Sequence, residues 1–328
     1  MAYNPAWDRP HTPSAQPLWQ ESDCFWAYDL TQDIGVFFRV GQQVNLNKGQ
    51  IQLFVFQRGA RRFLRLTQDA SSALSRSQTG QHVAGFNVES IGNGRMRYRW
   101  TDAGCAGDLE FHTPFYEPRN WRADDGAERY HDELHDAGHL EVSGRMRGVI
   151  ELDGKNFSFD ALAHRDRSWG NRDLARAYQH RMCTGTTGSG FSFAAVLVQF
   201  NDGAVATMGF VVRAGACEQL RDVEFLTTVD YDSVSVLGAI TRLHLESGQI
   251  IEIAATTQQG FLNTLYEYTF SPDVLMTFTH EGAAGFCYHT AAINPAKGGY
   301  RPQPYDVASI CAAEGLSDFV SARPFLAG

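Results

Sequence analysis

Ten consecutive residues, His164-Arg165-Asp166-Arg167-Ser168-Trp169-Gly170-Asn171-Arg172-Asp173, carry a histidine, two acids, three arginines and a tryptophan. They directly follow a strand-like run from Asn156 to Leu162. An acid held among arginines in a partly apolar pocket can give or take a proton, so Asp166 and Asp173 are candidate catalytic groups. Desolvation raises the pKa of such an acid and a neighbouring arginine lowers it, which leaves its charge state open. Arg165 and Arg172 are candidates for setting that pKa or binding a substrate oxygen. Trp169 and His164 are candidates for the substrate-facing wall, where an indole can also stack on a cation. The same residue types serve equally as a structural clasp, because Arg–Asp pairs staple loops and an arginine on a tryptophan can plug a small barrel.

Period 2 through Asn156–Asp166 puts Phe157, Phe159, Ala161, Ala163 and Arg165 on one face. Ser158, Asp160, Leu162, His164 and Asp166 share the other. In unbroken register Arg165 closes the apolar row and Asp166 points away from it. A bulge near His164 reverses that assignment.

Short strand-like runs fill the chain around this segment. They include Ile34–Val40, Ile51–Gln57, Arg61–Leu66, His82–Glu89, Arg95–Trp100 and Asp108–His112. Met96, Tyr98 and Trp100 alternate with Arg95, Arg97 and Arg99, as a half-buried strand requires. Residues 1 to about 30 read as an irregular lead-in with Pro5, Pro10, Pro13 and Pro17, and a long loop is expected from Pro114 to Gly138. Strands resume at His139–Arg147 and Gly148–Leu152, and Asp153-Gly154 signals a hairpin to Asn156–Ala163. The second half repeats the style with Phe191–Phe200, Ala204–Arg213, Val223–Val229, Ala239–Glu246, Gln249–Ala255, Leu265–Phe270, Val274–Thr279 and Phe286–Ala291. Helix candidates are short, at Gln68–Leu74 and Pro304–Ala312. Regular strands with Gly, Asn and Asp turns predict an all-β chain. Some eighteen strands exceed one small barrel, so two β-barrel-like units are expected, residues 1–147 and 148–328, the second carrying the central segment.

Net charge is −9, with no basic run, which argues against a nucleic-acid partner. No stretch approaches the roughly 20 apolar residues of a membrane span, and the polar N-terminus has no signal core. Six scattered cysteines without a CxxC pair read as free thiols in a cytoplasmic protein. Oligomeric state is open, a homo-oligomer included.

His131-Asp132-Glu133-Leu134-His135 with His139 invites a metal reading, but aspartate stands where HExxH needs glutamate, so no metal is expected. Ser168 lacks a GxSxG elbow. Gly185 to Gly190 resembles a phosphate loop only superficially, with no following lysine, and reads as a turn. Tyr266-Glu267-Tyr268 lies in a strand-like run; Tyr268 is a candidate wall residue and Glu267, when buried, a second acid. His280, Tyr288 and His289 read as structural. No dinucleotide fingerprint is present, so no cofactor is implied.

The string Arg165 to Asp173, after a β-hairpin, resembles the RDxSWGxRD signature of an uncharacterised bacterial family. That family is similar to the carotenoid 1,2-hydratase (hydroxyneurosporene synthase) superfamily. The resemblance implies two lipocalin-like β-barrels and cofactor-free hydratase or Diels–Alder-type cyclase chemistry on greasy polyenes. It is specific over about ten residues and architectural elsewhere. Two functions remain in play. One is a cofactor-independent lyase or isomerase acting on a hydrophobic terpenoid, polyene, steroid or aromatic molecule. The other is a lipocalin-like carrier of a hydrophobic ligand, which needs apolar walls but no acid.

Overall fold

The computed structural model describes residues 3–68, 70, 74–121, 134, 137–230, 232, 234–263, 270–294 and 310–312. Twenty-one strands stand among them, with short 3-10 turns, and Trp121 and Leu134 are helical. The chain divides into two compact units, Met1–Asp173 and Leu174–Gly328.

The first unit is one sheet that curls into a half-barrel. Its strands are β1 (Trp19–Asp29), β2 (Ile34–Gln43), β3 (Lys48–Gln57), β4 (Arg61–Thr67), β5 (Leu74–Arg76), β6 (Gly80–Val83), β7 (Phe86–Gly92), β8 (Arg95–Asp102), β9 (Cys105–Pro114), β10 (Arg119–Asn120), β11 (Gly138–Leu152) and β12 (Lys155–Asn171). Their spatial order is β4-β3-β2-β1-β12-β11-β9-β8-β7-β6-β5, with β10 also on β11. Strands β1 to β4 and β5 to β9 are two runs of antiparallel neighbours, and at the centre β12 inserts between β1 and β11. The core face of this sheet is aromatic: Phe25 lies 4.6 Å from Tyr98 and 5.4 Å from Phe38, centroid to centroid. Met96, Tyr98 and Trp100 are buried as their alternation predicted, while Arg97 points outward.

The second unit comprises β13 (Ala177–Gly188), β14 (Phe191–Phe200), β15 (Val205–Arg213), β16 (Ala216–Val229), β17 (Val236–Leu245), β18 (Ile250–Asn263), β19 (Ser271–His280), β20 (Ala283–Ile293) and β21 (Ile310–Ala312). Pairing of β15 with β16 closes the eight strands from β13 to β20 into a barrel. Phe193, Val211, Leu243, Ile253, Met276 and Cys287 pack its interior. The all-β, tandem barrel-like architecture is the one expected. The described cysteines are free, Cys24, Cys105, Cys183 and Cys287 buried and Cys217 exposed. No helix among the described residues is long and apolar enough to cross a membrane.

Several expectations need correction. The lead-in to residue 30 contains β1, an eleven-residue strand that is buried throughout. Its Glu21 and Asp23 disguise it in sequence, because charged side chains on a core face read as loop. The run His82–Glu89 is two strands folded at Ala84 and Gly85, both at positive φ. The runs on either side of residues 147 and 148 are one strand, β11, which absorbs an irregularity against β9 at Arg145/Met146. The unit boundary expected there therefore falls inside a strand, and the contacts place it after Asp173, so the central segment belongs to the first unit. That segment is not a loop; His164–Asn171 is the C-terminal half of the seventeen-residue β12, with Arg172 and Asp173 just past its end. Ile310–Ala312, expected as helix, pairs parallel with β16, and the rest of Pro304–Ala312 lies outside the described residues. Leu74 opens β5; most of the Gln68–Leu74 candidate and residues 264–269 also lie outside them.

The β11–β12 hairpin turns on Asp153 at φ 50° and Gly154 at φ 70°. Both positions are left-handed, the backbone that a two-residue turn between twisted strands demands. A Cβ on Gly154 would meet nothing within 4 Å. Gly154→Val therefore tests the backbone alone. It is expected to lower stability by about 1–2 kcal/mol, the cost of the left-handed region for a residue with a Cβ, measured as the urea midpoint.

Candidate active site

The two-residue turn sets Leu152 opposite Lys155, and pairing continues without a slip to Gly138 opposite Trp169. On one face this matches Val142 with Arg165, Leu140 with Arg167 and Gly138 with Trp169. On the other it matches Ser143 with His164, Glu141 with Asp166 and His139 with Ser168. Strand β1 pairs with the opposite edge of β12, also without a slip, setting Phe25 beside Arg165, Asp23 beside Arg167 and Glu21 beside Trp169. No bulge intervenes near His164, so Arg165 points to the core face and Asp166 away from it.

The core face is a clasp. The Arg167 guanidinium, about 1% exposed, bonds Glu21 at 2.5 Å and also Asp23. Glu21 further accepts from Arg76 and from His11 Nδ1, the latter at 2.8 Å. The His11 ring stacks on Trp169 with centroids 4.0 Å apart. Arg165, fully buried, pairs with Asp8 and lies 5.8 Å over the Phe111 ring. The residues before β1 are thus tied to β12 by one buried ion pair, Asp8 to Arg165, and a stacked ring, His11 on Trp169, and β1 itself by the pairs of Arg167. Against the upward push of burial, Arg167, His11 and Arg76 hold the Glu21 carboxyl below its ordinary range. Asp23 goes the other way: burial outweighs Arg167 and raises it. Trp169 also packs on Trp19 and Leu140, and a Cβ on Gly138 would collide with its indole.

The opposite face carries a network of a different kind. His139 Nε2 lies 3.0 Å from Asp166 Oδ2 and 3.4 Å from Glu141 Oε1. Glu141 Oε2 lies 2.5 Å from His164 Nε2, and His164 Nδ1 lies 2.9 Å from the Ser143 hydroxyl. The Ser143 amide donates to the Tyr116 hydroxyl at 2.9 Å, and that hydroxyl lies 3.5 Å from Ser143 Oγ. Trp26 stacks on His164 with centroids 5.5 Å apart, and Phe37 follows it. Glu141 and His164 side chains are fully buried and His139 nearly so; the Asp166 side chain keeps 16% of its surface. Burial alone would lower the His139 pKa, but Asp166 and Glu141 push it up to about 10. Burial would raise Asp166, but His139, Arg172 and His164 hold it below the usual carboxylate range. The pair is therefore an imidazolium beside a carboxylate at neutral pH, a proton held next to a base with an open side.

The expected residues separate accordingly. His164 and Asp166 share the network, and Arg172 acts on Asp166 electrostatically. Arg165 and Trp169 sit on the core face in the clasp. Asp173 lies past the end of β12. Glu267, Tyr268, His131 and His135 lie outside the described residues. His139 enters with Glu141 and Asp166 instead; one ligand atom from each lies within 4.8 Å of the others, a spacing that suits a cation as well as a proton. The sequence singles out none of Glu141, Ser143 and Trp26, and Tyr116, like His112 and Phe115, reads there as structural. The signal was available: counting back from Leu152 and on from Lys155 pairs Glu141 with Asp166 and Ser143 with His164.

Two barrel-like antiparallel units in tandem, a half-barrel and a closed barrel, define a lipocalin-like two-domain protein. The chain belongs to the family described as Domain of unknown function (DUF7064), whose profile matches residues 4–295. No curated protein matches the chain in sequence. Among solved structures it is similar to kievitone hydratase from Nectria haematococca, at 10% identity over 89% of this chain and 93% of that one, TM-score 0.61. An AttH-like protein from Nitrosomonas europaea is 14% identical over 83% and 91%, TM-score 0.60. CghA with Sch210972 is 10% identical over 85% and 89%, TM-score 0.57. At these identities the likeness is one of fold, and it agrees with the superfamily that the central segment resembles.

Two outcomes follow for stability. Arg167→Met leaves Glu21 and Asp23 buried without their shared cation and is expected to cost about 3–5 kcal/mol, read as a fall in the urea midpoint. The second concerns His139, whose folded pKa of about 10 exceeds the ordinary 6.5. A raised pKa contributes stability that is complete below the unfolded value and is lost as pH rises through the folded one. Melting temperature should therefore decline between about pH 6.5 and about pH 10, more steeply in the wild type than in His139→Gln. Parallel profiles for the two proteins would refute the charge assigned to His139.

Proposed function

We propose that the protein is a lyase or isomerase, a hydratase, dehydratase or cyclase, that moves protons on a hydrophobic small molecule at Asp166. One observation carries the reading. Asp166 is the partly exposed end of an otherwise buried acid–base network, and the His139 imidazolium sits 3.0 Å from it. In the dehydrating direction the Asp166 carboxylate takes a proton from carbon. The C–H electron pair becomes the new double bond as the neighbouring C–O bond breaks, and the departing oxygen leaves protonated. Run backwards, the same groups hydrate an alkene. His139 holds Asp166 ionised and oriented, and Arg172 adds to its acidity. Trp26 and Phe37, buried on the same face, make the setting behind His164 apolar, which favours a terpenoid, polyene, steroid or aromatic molecule over a polar one.

The fold neighbours support this class, since a hydratase is among them, and so does the superfamily resemblance of the central segment. The chemistry asks nothing of a nicotinamide or flavin, because eliminating or adding water transfers protons with no net oxidation or reduction. The clasp assignments leave Arg165 and Trp169 in support of β12, with no substrate contact.

The test is to incubate the protein in D₂O, with EDTA present, against a panel of linear terpenoids, sterols and prenylated phenols. Mass spectrometry reads deuterium on carbon and the gain or loss of water. Asp166→Asn is expected to keep its melting temperature and lose roughly 10²–10⁴ in turnover, whereas Asp173→Asn stays active. A wild type that retains panel members on gel filtration but never alters them would instead identify a carrier.

A further inference from the structure

The network does not stop at His164. Ser143 Oγ joins His164 Nδ1 to Tyr116, whose ring follows β9 and whose hydroxyl is pinned by the Ser143 amide at 2.9 Å. Tyr116 is 8% exposed, and the neighbouring Phe115 amide bonds the Ser143 carbonyl at 2.9 Å, which fixes its chain against β11. From Asp166 the contacts run to His139 at 3.0 Å, Glu141 at 3.4 Å, His164 at 2.5 Å, Ser143 at 2.9 Å and Tyr116 at 3.5 Å. Every member exchanges protons; Glu141 and His164 can receive on one atom and release on another, and His139 meets both carboxylates through Nε2.

We infer that Asp166 and Tyr116 are the two ends of a single proton relay, with Tyr116 the second proton-transfer group of the reaction. The inference rests on the acid–base reading of Asp166 given above and adds a donor to it. An elimination needs a base for carbon and an acid for the leaving oxygen. With Asp166 as the base, the oxygen's proton must come from elsewhere. The Tyr116 hydroxyl supplies it, so the C–O bond breaks with water as the product and the tyrosine is left as phenolate. Asp166 then holds the proton taken from carbon. His139 first releases its Nε2 proton to Glu141 and then takes the Asp166 proton on the same, now empty, nitrogen; Glu141 protonates His164 Nε2, His164 Nδ1 gives a proton to Ser143, and Ser143 restores Tyr116. One proton enters and one leaves, both groups return to their starting state, and no co-reactant is consumed. The levels of Asp166 and Ser143 differ by two residues of β11, about 7 Å at strand rise, a separation that one small molecule can span.

Among the described residues, the charged and titratable groups around the relay are these. Asp166 faces His139, Glu141, Arg172 and His164; His139 faces Asp166, Glu141 and the Trp121 ring, its amide bonding Asn120. His164 faces Glu141, Ser143 and Trp26. Removing the Ser143 hydroxyl therefore alters one contact of His164 and none of His139.

Protein labelled with ¹⁵N-histidine reads the relay directly, with no substrate. Ser143→Ala is expected to move the NMR titration of His139 as well as that of His164, and Ser143→Thr, which keeps the hydroxyl, to restore both. A response confined to His164 overturns the relay. With a substrate from the D₂O panel, Tyr116→Phe is expected to lower kcat by roughly 10²-fold, leave KM nearly unchanged and remove one limb of the pH–kcat profile. Full turnover in Tyr116→Phe beside an inactive Asp166→Asn overturns this inference alone. Full turnover in both overturns the proposed function with it. Should no panel member react, the His139 titration decides.

Discussion

Strand β12 has a hydrogen-bonded neighbour on each edge and buried side chains on both faces through its last third. That constraint governs the first unit. A charged side chain placed on either face must find a partner there, because a buried charge without one is far more costly than an exposed one. Strands β1 and β11 supply the partners at fixed levels: Glu21 and Asp23 for Arg167 on the core face, His139 and Glu141 for Asp166 and His164 on the other. A slip of one residue would turn Arg165, Arg167 and Trp169 outward and drive His164 and Asp166 against Phe25 and Tyr98. The polar pairs therefore specify register more strictly than an apolar strand could, since valine and leucine tolerate either face.

The alternation also resolves what the segment is for. It is both a clasp and a candidate site, one on each face of a single strand. Arg165, Arg167 and Trp169 hold the residues before β1; His164, Asp166 and Ser168 face the opposite network. The two jobs are mechanically joined, because the backbone that positions Asp166 is flanked on either side by Arg165 and Arg167, each locked in a buried ion pair. A rigid base is what proton transfer asks for, and the clasp provides it.

Much of this was legible in the sequence and some was not. Fold class, tandem units and most strands follow from period-2 runs and turn residues, and the burial of Met96, Tyr98 and Trp100 follows from their alternation. The Asp153-Gly154 turn was recognised, yet its consequence for register was lost once β11 was split at Gly148 and β12 ended at Ala163. Charged residues on buried faces caused both errors, and they also hid β1. Local pattern treats charge as a sign of exposure; here the charge is neutralised by residues more than a hundred positions away, as Asp8 is by Arg165 and Asp23 by Arg167. Glu141 drew no attention because its partner His164 is distant in sequence and adjacent only across the hairpin.

The electrostatics of the outer face bear on how such a site would work. His139 is held charged and Asp166 ionised by each other, so the pair is nearly neutral as a unit and can persist in a poorly solvated place. Of the described network Asp166 keeps the most contact with solvent, and that contact helps stabilise its carboxylate. An apolar molecule covering Asp166 removes this hydration without replacing it, which raises the affinity of the carboxylate for a proton. Under the proposed chemistry, binding itself strengthens the base at the moment its target arrives, while the buried remainder of the network, already dry, is left as it was. A hydrophobic substrate is then a working part of the site, because a polar one would hydrogen-bond Asp166 and leave it a weak base.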